Sequence, residues 1–152
     1  MRNLAAALQS IAATLWVGGM WVTGYVVAPV LFATLSDRTL AGLVAGRLFS
    51  LIAWIGMACA AYLLIDRLVR YRAGALRQAL FWIVIVMLAL TLAGEFGVQP
   101  VMAALKQQAW PSPVMESALR DRFALWHGVS SVIYLIESLL GAALIILLGR
   151  GK

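Results

Sequence analysis

Four long apolar runs, Leu4 to Leu35, Leu43 to Ile65, Ala79 to Leu105 and Phe123 to Leu148, take up nearly all of the 152 residues. Each exceeds the roughly 20 residues that an α-helix needs to cross a hydrocarbon core of about 30 Å. The chain is 64% hydrophobic and 12% charged, far from the about 45–50% apolar and 25% charged of ordinary globular proteins. The expected fold is all-α: a single integral-membrane four-helix bundle with helices at about 4–35, 43–70, 77–105 and 121–148. The first run begins beside a basic residue, as a secretory signal does. It continues well past an apolar core of about 7–15 residues and shows no clear small-x-small cleavage site, so it is read as the first spanning helix.

The net charge of +6 does not point to nucleic acid, because almost all the basic residues flank the apolar runs. Their meaning is orientation. The densest stretch, "DRLVRYRAGALRQ", holds Arg67, Arg70, Arg72 and Arg77 between the second and third runs. The positive-inside rule puts this connection in the cytoplasm, and both termini with it; Arg2, Arg150 and Lys152 agree. The outer side carries Arg38, Arg47, Lys106, Arg120 and Arg122, partly balanced by Asp37, Glu116 and Asp121. A multi-pass protein of the bacterial inner membrane is the expected location.

In the first outer connection, "TLSDRTLAG", Ser36 and Asp37 are candidate N-caps for the second helix. From Asp37 to Tyr71 that helix is too long for one upright span, so it starts in the interface or is tilted. In the second, "KQQAWPSPVMESALRDR", Pro111 and Pro113 end the third helix, and Trp110 suits an interfacial anchor. An internal echo links "YVVAPVLFATL" to "FGVQPVMAAL", matching Pro29 with Pro100. Each is followed by an outer connection and then by "GRLFSLIAW" or "RDRFALWHG". Two parallel helical-hairpin repeats would give such a pattern.

The fourth run, "LWHGVSSVIYLIESLLGAALIILL", holds the single histidine, His127, and a glutamate, Glu137. His127, Ser131, Tyr134 and Ser138 follow the i, i+4, i+7, i+11 spacing of one helix face, with Ser130, Glu137 and Gly141 along its edge. A charged carboxylate at mid-membrane costs roughly 2.5–3.5 kcal/mol, so Glu137 is expected to be partnered, protonated or hydrated. On the third helix Thr91, Glu95 and Val98 share a face with Gln99 beside it; the second begins near Arg47, at a depth like that of His127. The first contributes Tyr25, with Gly18, Gly19 and Gly24 allowing close helix approach. Arg47, Glu95, Gln99, His127 and Tyr25 are therefore expected to converge on the outer half of the bundle, with Tyr134 and Glu137 deeper. The plainer alternative is an Arg47–Glu95 ion pair tying two helices, with His127 hydrogen-bonded to a serine or carbonyl.

Little else in the chain suggests a cofactor. One histidine cannot supply both axial ligands of a bis-histidine haem, and there is no H-x-x-x-H, C-x-x-C or Gly-rich phosphate loop. Cys59 stands alone, a small packing residue that excludes an internal disulfide. No cofactor is predicted; haem would need His127 plus a ligand from another subunit or a non-histidine ligand.

The segments "LWVGGMWVTGYVVAPVLFATL", "AGLVAGRLFSLIAWIG" and "RFALWHGVSSVIYLIE" resemble the transmembrane-protein-205-like family, also catalogued as domain of unknown function 4149. The resemblance covers essentially the whole chain, and it implies a small four-helix membrane protein without an assigned bacterial activity. The first helix is also similar to those of the CopD copper-resistance proteins and the HemJ protoporphyrinogen oxidases. Those families carry a histidine early in helix one, where this chain has Gln9 in "ALQSIAATLW". The departure counts against haem ligation and HemJ-type oxidation.

The resulting expectation is a non-enzymatic membrane protein with an outward-opening polar pocket that binds or passes a small solute or ion. Glu95 and His127 would recognise the solute, Arg47 would be an electrostatic partner, and Glu137 would exchange a proton. A haem- or porphyrin-handling redox protein and a structural subunit of a membrane complex are the competing classes; the lipid bilayer, and a second copy of the chain, are the expected partners.

Overall fold

The computed structural model describes residues 2–150, and side chains over 4–150. The side chain of Arg2 and all of Lys152, both counted above with the inner positive charge, lie outside the described residues. Four helices are long and apolar enough to cross a membrane: α1 (Leu4–Thr34), α2 (Arg38–Arg77), α3 (Ala79–Ala109) and α4 (Arg120–Arg150). No strand occurs among the described residues. Helix α1 packs against α2 and α4, and α3 packs against the same two, so α1 and α3 face each other across a closed ring. The end carrying the α1–α2 and α3–α4 connections is the one the charge pattern assigns outside.

Local chemistry sets the helix ends. The Asp37 carboxylate accepts hydrogen bonds from the backbone N–H groups of Thr39 and Leu40, at 2.8 and 3.1 Å. This cap starts α2 at Arg38, where the N-cap reading of Asp37 put it and ahead of the 43 given for the span, and Ser36 takes no part in it. The regular α-helical part of α2 runs to Tyr71, roughly 50 Å at 1.5 Å per residue, and a tight turn over Arg72–Arg77 leads into α3. Arg72 has φ 47°, a conformation that costs a side-chain-bearing residue. Helix α3 continues to Ala109, beyond the expected 105, until Pro111 and Pro113 bar further helix. Trp110 at this point is 78% exposed, as an interfacial anchor must be.

Two interruptions share one design. Before Pro29, the N–H of Ala28 reaches back five residues to the carbonyl of Thr23, widening the turn over Thr23–Val27. Before Pro100, the N–H of Gln99 reaches back five to the carbonyl of Gly94, widening Ala93–Val98. Proline has no N–H, and its ring crowds the carbonyl four residues earlier; a wider turn relieves the clash. The two prolines paired by the sequence echo thus carry the same backbone device.

The core is built from Trp16, Val17 and Met20 of α1, Cys59, Ala60 and Leu63 of α2, Leu80, Val84 and Met87 of α3, and Leu144 of α4. Because lipid is as apolar as leucine, helices associate in a membrane largely through close packing. Gly56 and Gly141 supply the space. A Cβ at Gly56 would lie 2.7 Å from Cδ1 of the buried Trp16 indole, and one at Gly141 3.0 Å from Cγ1 of Val17. On α4, Leu125, Val132, Leu135, Leu139 and Ile146 are exposed as lipid contact requires.

Candidate functional site

Glu137 stands midway along α4 on its packed face and is 6% exposed. Its partner is the hydroxyl of Thr91 on α3, also buried. That hydroxyl also lies 2.9 Å from the carbonyl of Met87, one turn back on its own helix. A hydroxyl has one hydrogen to donate. Either the two acceptors share that hydrogen, or the carboxyl of Glu137 carries one of its own and donates it to Thr91. Among the described residues the one ion pair is Arg70–Asp66, so no cation balances Glu137.

Around this pair lies a layer of hydroxyls. Tyr25 of α1 donates to Ser138 Oγ at 2.9 Å. Tyr134 donates to the main-chain carbonyl of Met20, just before the widened turn of α1. Its ring meets Tyr25 and Phe49 edge-on, with centroids at 6.1 and 5.2 Å. Residue 24 must be glycine for this to happen, since a Cβ there would run into the Tyr134 ring.

Toward the outer end, Glu95 sits half-buried on the widened turn of α3, where the Ser50 hydroxyl of α2 donates to it. Thr91 and Glu95 are about one turn apart, roughly 6 Å along the axis. Gln99 follows on the next turn, half-buried. Polar side chains therefore continue from Glu137 through Thr91 to Glu95 and Ser50. In the other direction Trp16, Leu63, Val84, Met87 and Leu144 close the core with apolar groups.

Several sequence expectations are revised here. The Arg47–Glu95 ion pair is not formed: Ser50, one turn further along α2, faces Glu95, and Arg47 is exposed. His127 does not join Glu95 either. It is exposed, its ring stacked on Phe123 of the same helix at 6.2 Å, and the Ser131 hydroxyl donates to its backbone carbonyl. The polar stripe divides along its length: Tyr134 and Ser138 face inward where its spacing put them, while His127 and Ser131 do not. Packing of Gly141 against Val17 and Met20 turns Glu137 to the centre of the bundle and His127 and Ser131 to its outside.

A second polar cluster, at the inner end, escaped the sequence reading. Gln9 of α1, 9% exposed, donates to Asp66 of α2, and Asp66 pairs with Arg70 at 2.8 Å. The i, i+4 spacing of Asp66 and Arg70 was a readable sign of it. The role of Gln9 depends on how α1 and α2 pack, which no single helix shows.

A ring of four membrane-length helices, with carboxyl and hydroxyl groups buried between them, defines a polytopic membrane protein. Within that class the chain belongs to the family of the domain of unknown function DUF4149, whose model matches residues 11–111. The match spans α1 to α3, so Glu137, Tyr134 and His127 on α4 lie outside it. No curated protein and no solved structure matches the chain.

Proposed function

We propose that this is a non-enzymatic protein of the bacterial inner membrane, which binds a small cation or cationic solute from the outer side and exchanges it for a proton. The observation behind this reading is Glu137: a buried carboxyl with no cationic partner, bonded to a hydroxyl whose hydrogen has a second acceptor. A proton leaving as a cation arrives keeps the net charge of the buried site at zero, which avoids the cost of an isolated charge in a low-dielectric interior. Glu95, half-buried and nearer the outer end, is the first acidic contact. Gln99 stands one turn outside it, and the hydroxyls of Tyr25 and Tyr134 line the way inward. Arg47 and His127 have no recognition role in this reading, because both face away from the two glutamates. Passage beyond Glu137 requires the layer of Trp16, Met87 and Leu144 to part, and the widened turns of α1 and α3 are the places where the backbone can give.

The test is reconstitution into liposomes containing a pH-sensitive dye. Inward gradients of sodium, potassium and simple alkylammonium ions are imposed in turn, and the internal pH is followed. The wild type is expected to export protons in response to at least one of them, and Glu137→Gln to show none of that response. If well-folded Glu137→Gln and Glu95→Gln proteins match the wild type in every such assay, the reading is wrong.

A further inference from the structure

At the inner end of α2 the side chain of Arg67 is held in an unusual way. Its Nη1 donates to Oε1 of Gln78 at 3.1 Å, and its guanidinium lies over the ring of Tyr71, 5.5 Å from the centroid. Its Nε is shut off from solvent and has no hydrogen-bond partner, the one such side-chain atom among the described residues. With Nη1 engaged, the edge left over is the pair Nε and Nη2. Two parallel N–H groups on that edge match two oxygens of a phosphate or carboxylate.

The surroundings select between these anions. Asp66, the acidic residue nearest in sequence, is taken by Arg70 and Gln9. Arg72 and Arg77 follow on the tight turn and are exposed, so the region carries four arginines against one aspartate. Leu68, Val69 and Leu76, all exposed, place apolar surface beside them. A ligand with an anionic head at the membrane boundary and an apolar body along the helix is a phospholipid of the inner leaflet. We propose that Arg67, supported by Arg72 and Arg77, binds the phosphate of an anionic phospholipid, with Leu68, Val69 and Leu76 against its acyl chains. Nε is closed to solvent as the side chain lies, so lipid binding requires Arg67 to turn off the Tyr71 ring and present Nε and Nη2 to the phosphate.

The test is native mass spectrometry of protein purified in mild detergent from bacterial membranes, with extraction and identification of the retained lipid. The wild type is expected to keep phosphatidylglycerol or cardiolipin in preference to phosphatidylethanolamine. Arg67→Gln should lower that retention by about tenfold, the loss of one bidentate charged contact, while Arg38→Gln at the opposite end leaves it unchanged. Equal retention by wild type and Arg67→Gln, or no preference for the anionic lipid, overturns the proposal. So does displacement of the lipid by inorganic phosphate at equal concentration, which would mark a free-phosphate site instead. Should Arg67→Gln fail to give a monodisperse protein, Arg67→Lys keeps the charge without the two-pronged edge. It is expected to retain less lipid than the wild type, and undiminished retention counts against the proposal.

Discussion

Replacing Thr91 by valine keeps the side-chain shape and deletes the hydroxyl, leaving Glu137 at 6% exposure without its partner. A buried polar group stripped of its hydrogen bond costs about 1–3 kcal/mol. The converse change, Glu137→Met, is predicted to be milder. The Thr91 hydroxyl keeps its bond to the Met87 carbonyl at 2.9 Å, so the cost reduces to repacking, below about 1.5 kcal/mol for a swap of similar volume. The double variant removes both polar groups and is expected within about 1 kcal/mol of the wild type, since replacing both partners by apolar groups can be nearly neutral. Hydrogen bonds between membrane helices couple by about 0.6 kcal/mol on average and about 1.7 at most, so a coupling near that maximum is expected, with Thr91→Val toward the lower end of its range. Unfolding in mixed micelles titrated with a denaturing detergent measures all four proteins, and the six tryptophans provide the fluorescence signal. If Thr91→Val costs no more than Glu137→Met, or the coupling falls below about 0.3 kcal/mol, Thr91 is not the partner of Glu137. The reading of Glu137 as a proton-carrying group then loses its geometric basis.

Gly24→Ala drives a methyl group into the Tyr134 ring and is expected to cost about 1–3 kcal/mol. Gly18→Ala, where nothing lies within 4 Å, should be neutral or stabilising by up to about 1 kcal/mol; thermal unfolding of the two variants compares them directly. Arg72→Gly relieves a backbone held at φ 47° and is expected to stabilise by about 1 kcal/mol in the same assay. Asp37→Ala removes the acceptor for the Thr39 and Leu40 amides; a cost of about 1 kcal/mol and faster hydrogen exchange at those two amides are the expected signs. His127→Ala touches a side chain on the outside of the bundle, so stability should change by less than about 0.5 kcal/mol. With haem supplied during expression, neither that variant nor the wild type is expected to show a Soret band; a band lost on substitution would support the redox reading instead.

The spans were legible because hydropathy acts on each helix separately: every run must leave water whatever its neighbours do. Helix ends were legible where one residue decides them, as Asp37 and Pro111 do. They came out short where Gln107 and Gln108 extend a helix that is already started. Position along the helix was also legible: Glu137 stands midway along α4, as its place in the run put it. Rotation was not. The polar face of α4 is broad, running from His127 to Glu137, so spacing alone cannot tell which of its members turn inward. The choice is made by pairs of residues on different helices, Gly141 against Val17 and Gly24 against Tyr134. Vertical register was equally hidden: a shift of one turn between α2 and α3 decides whether Arg47 or Ser50 meets Glu95, and the structure brings Ser50 there.

The same geometry explains why the polar groups gather where they do. A membrane helix can give up regular hydrogen bonding only where other groups satisfy the backbone. Pro29 and Pro100 force such places on α1 and α3, the two helices that face each other across the ring. At the first, Tyr134 supplies a hydroxyl to the Met20 carbonyl and Tyr25 turns to Ser138. At the second, the widened turn carries Glu95 to Ser50, one turn beyond the Thr91–Glu137 pair. The widened turns thus carry Tyr25 and Glu95, while the Thr91–Glu137 pair stands on regular helix. Restoring regular helix by Pro29→Ala should therefore disturb Tyr25 and Tyr134 before it disturbs Glu95, while Pro100→Ala should do the reverse.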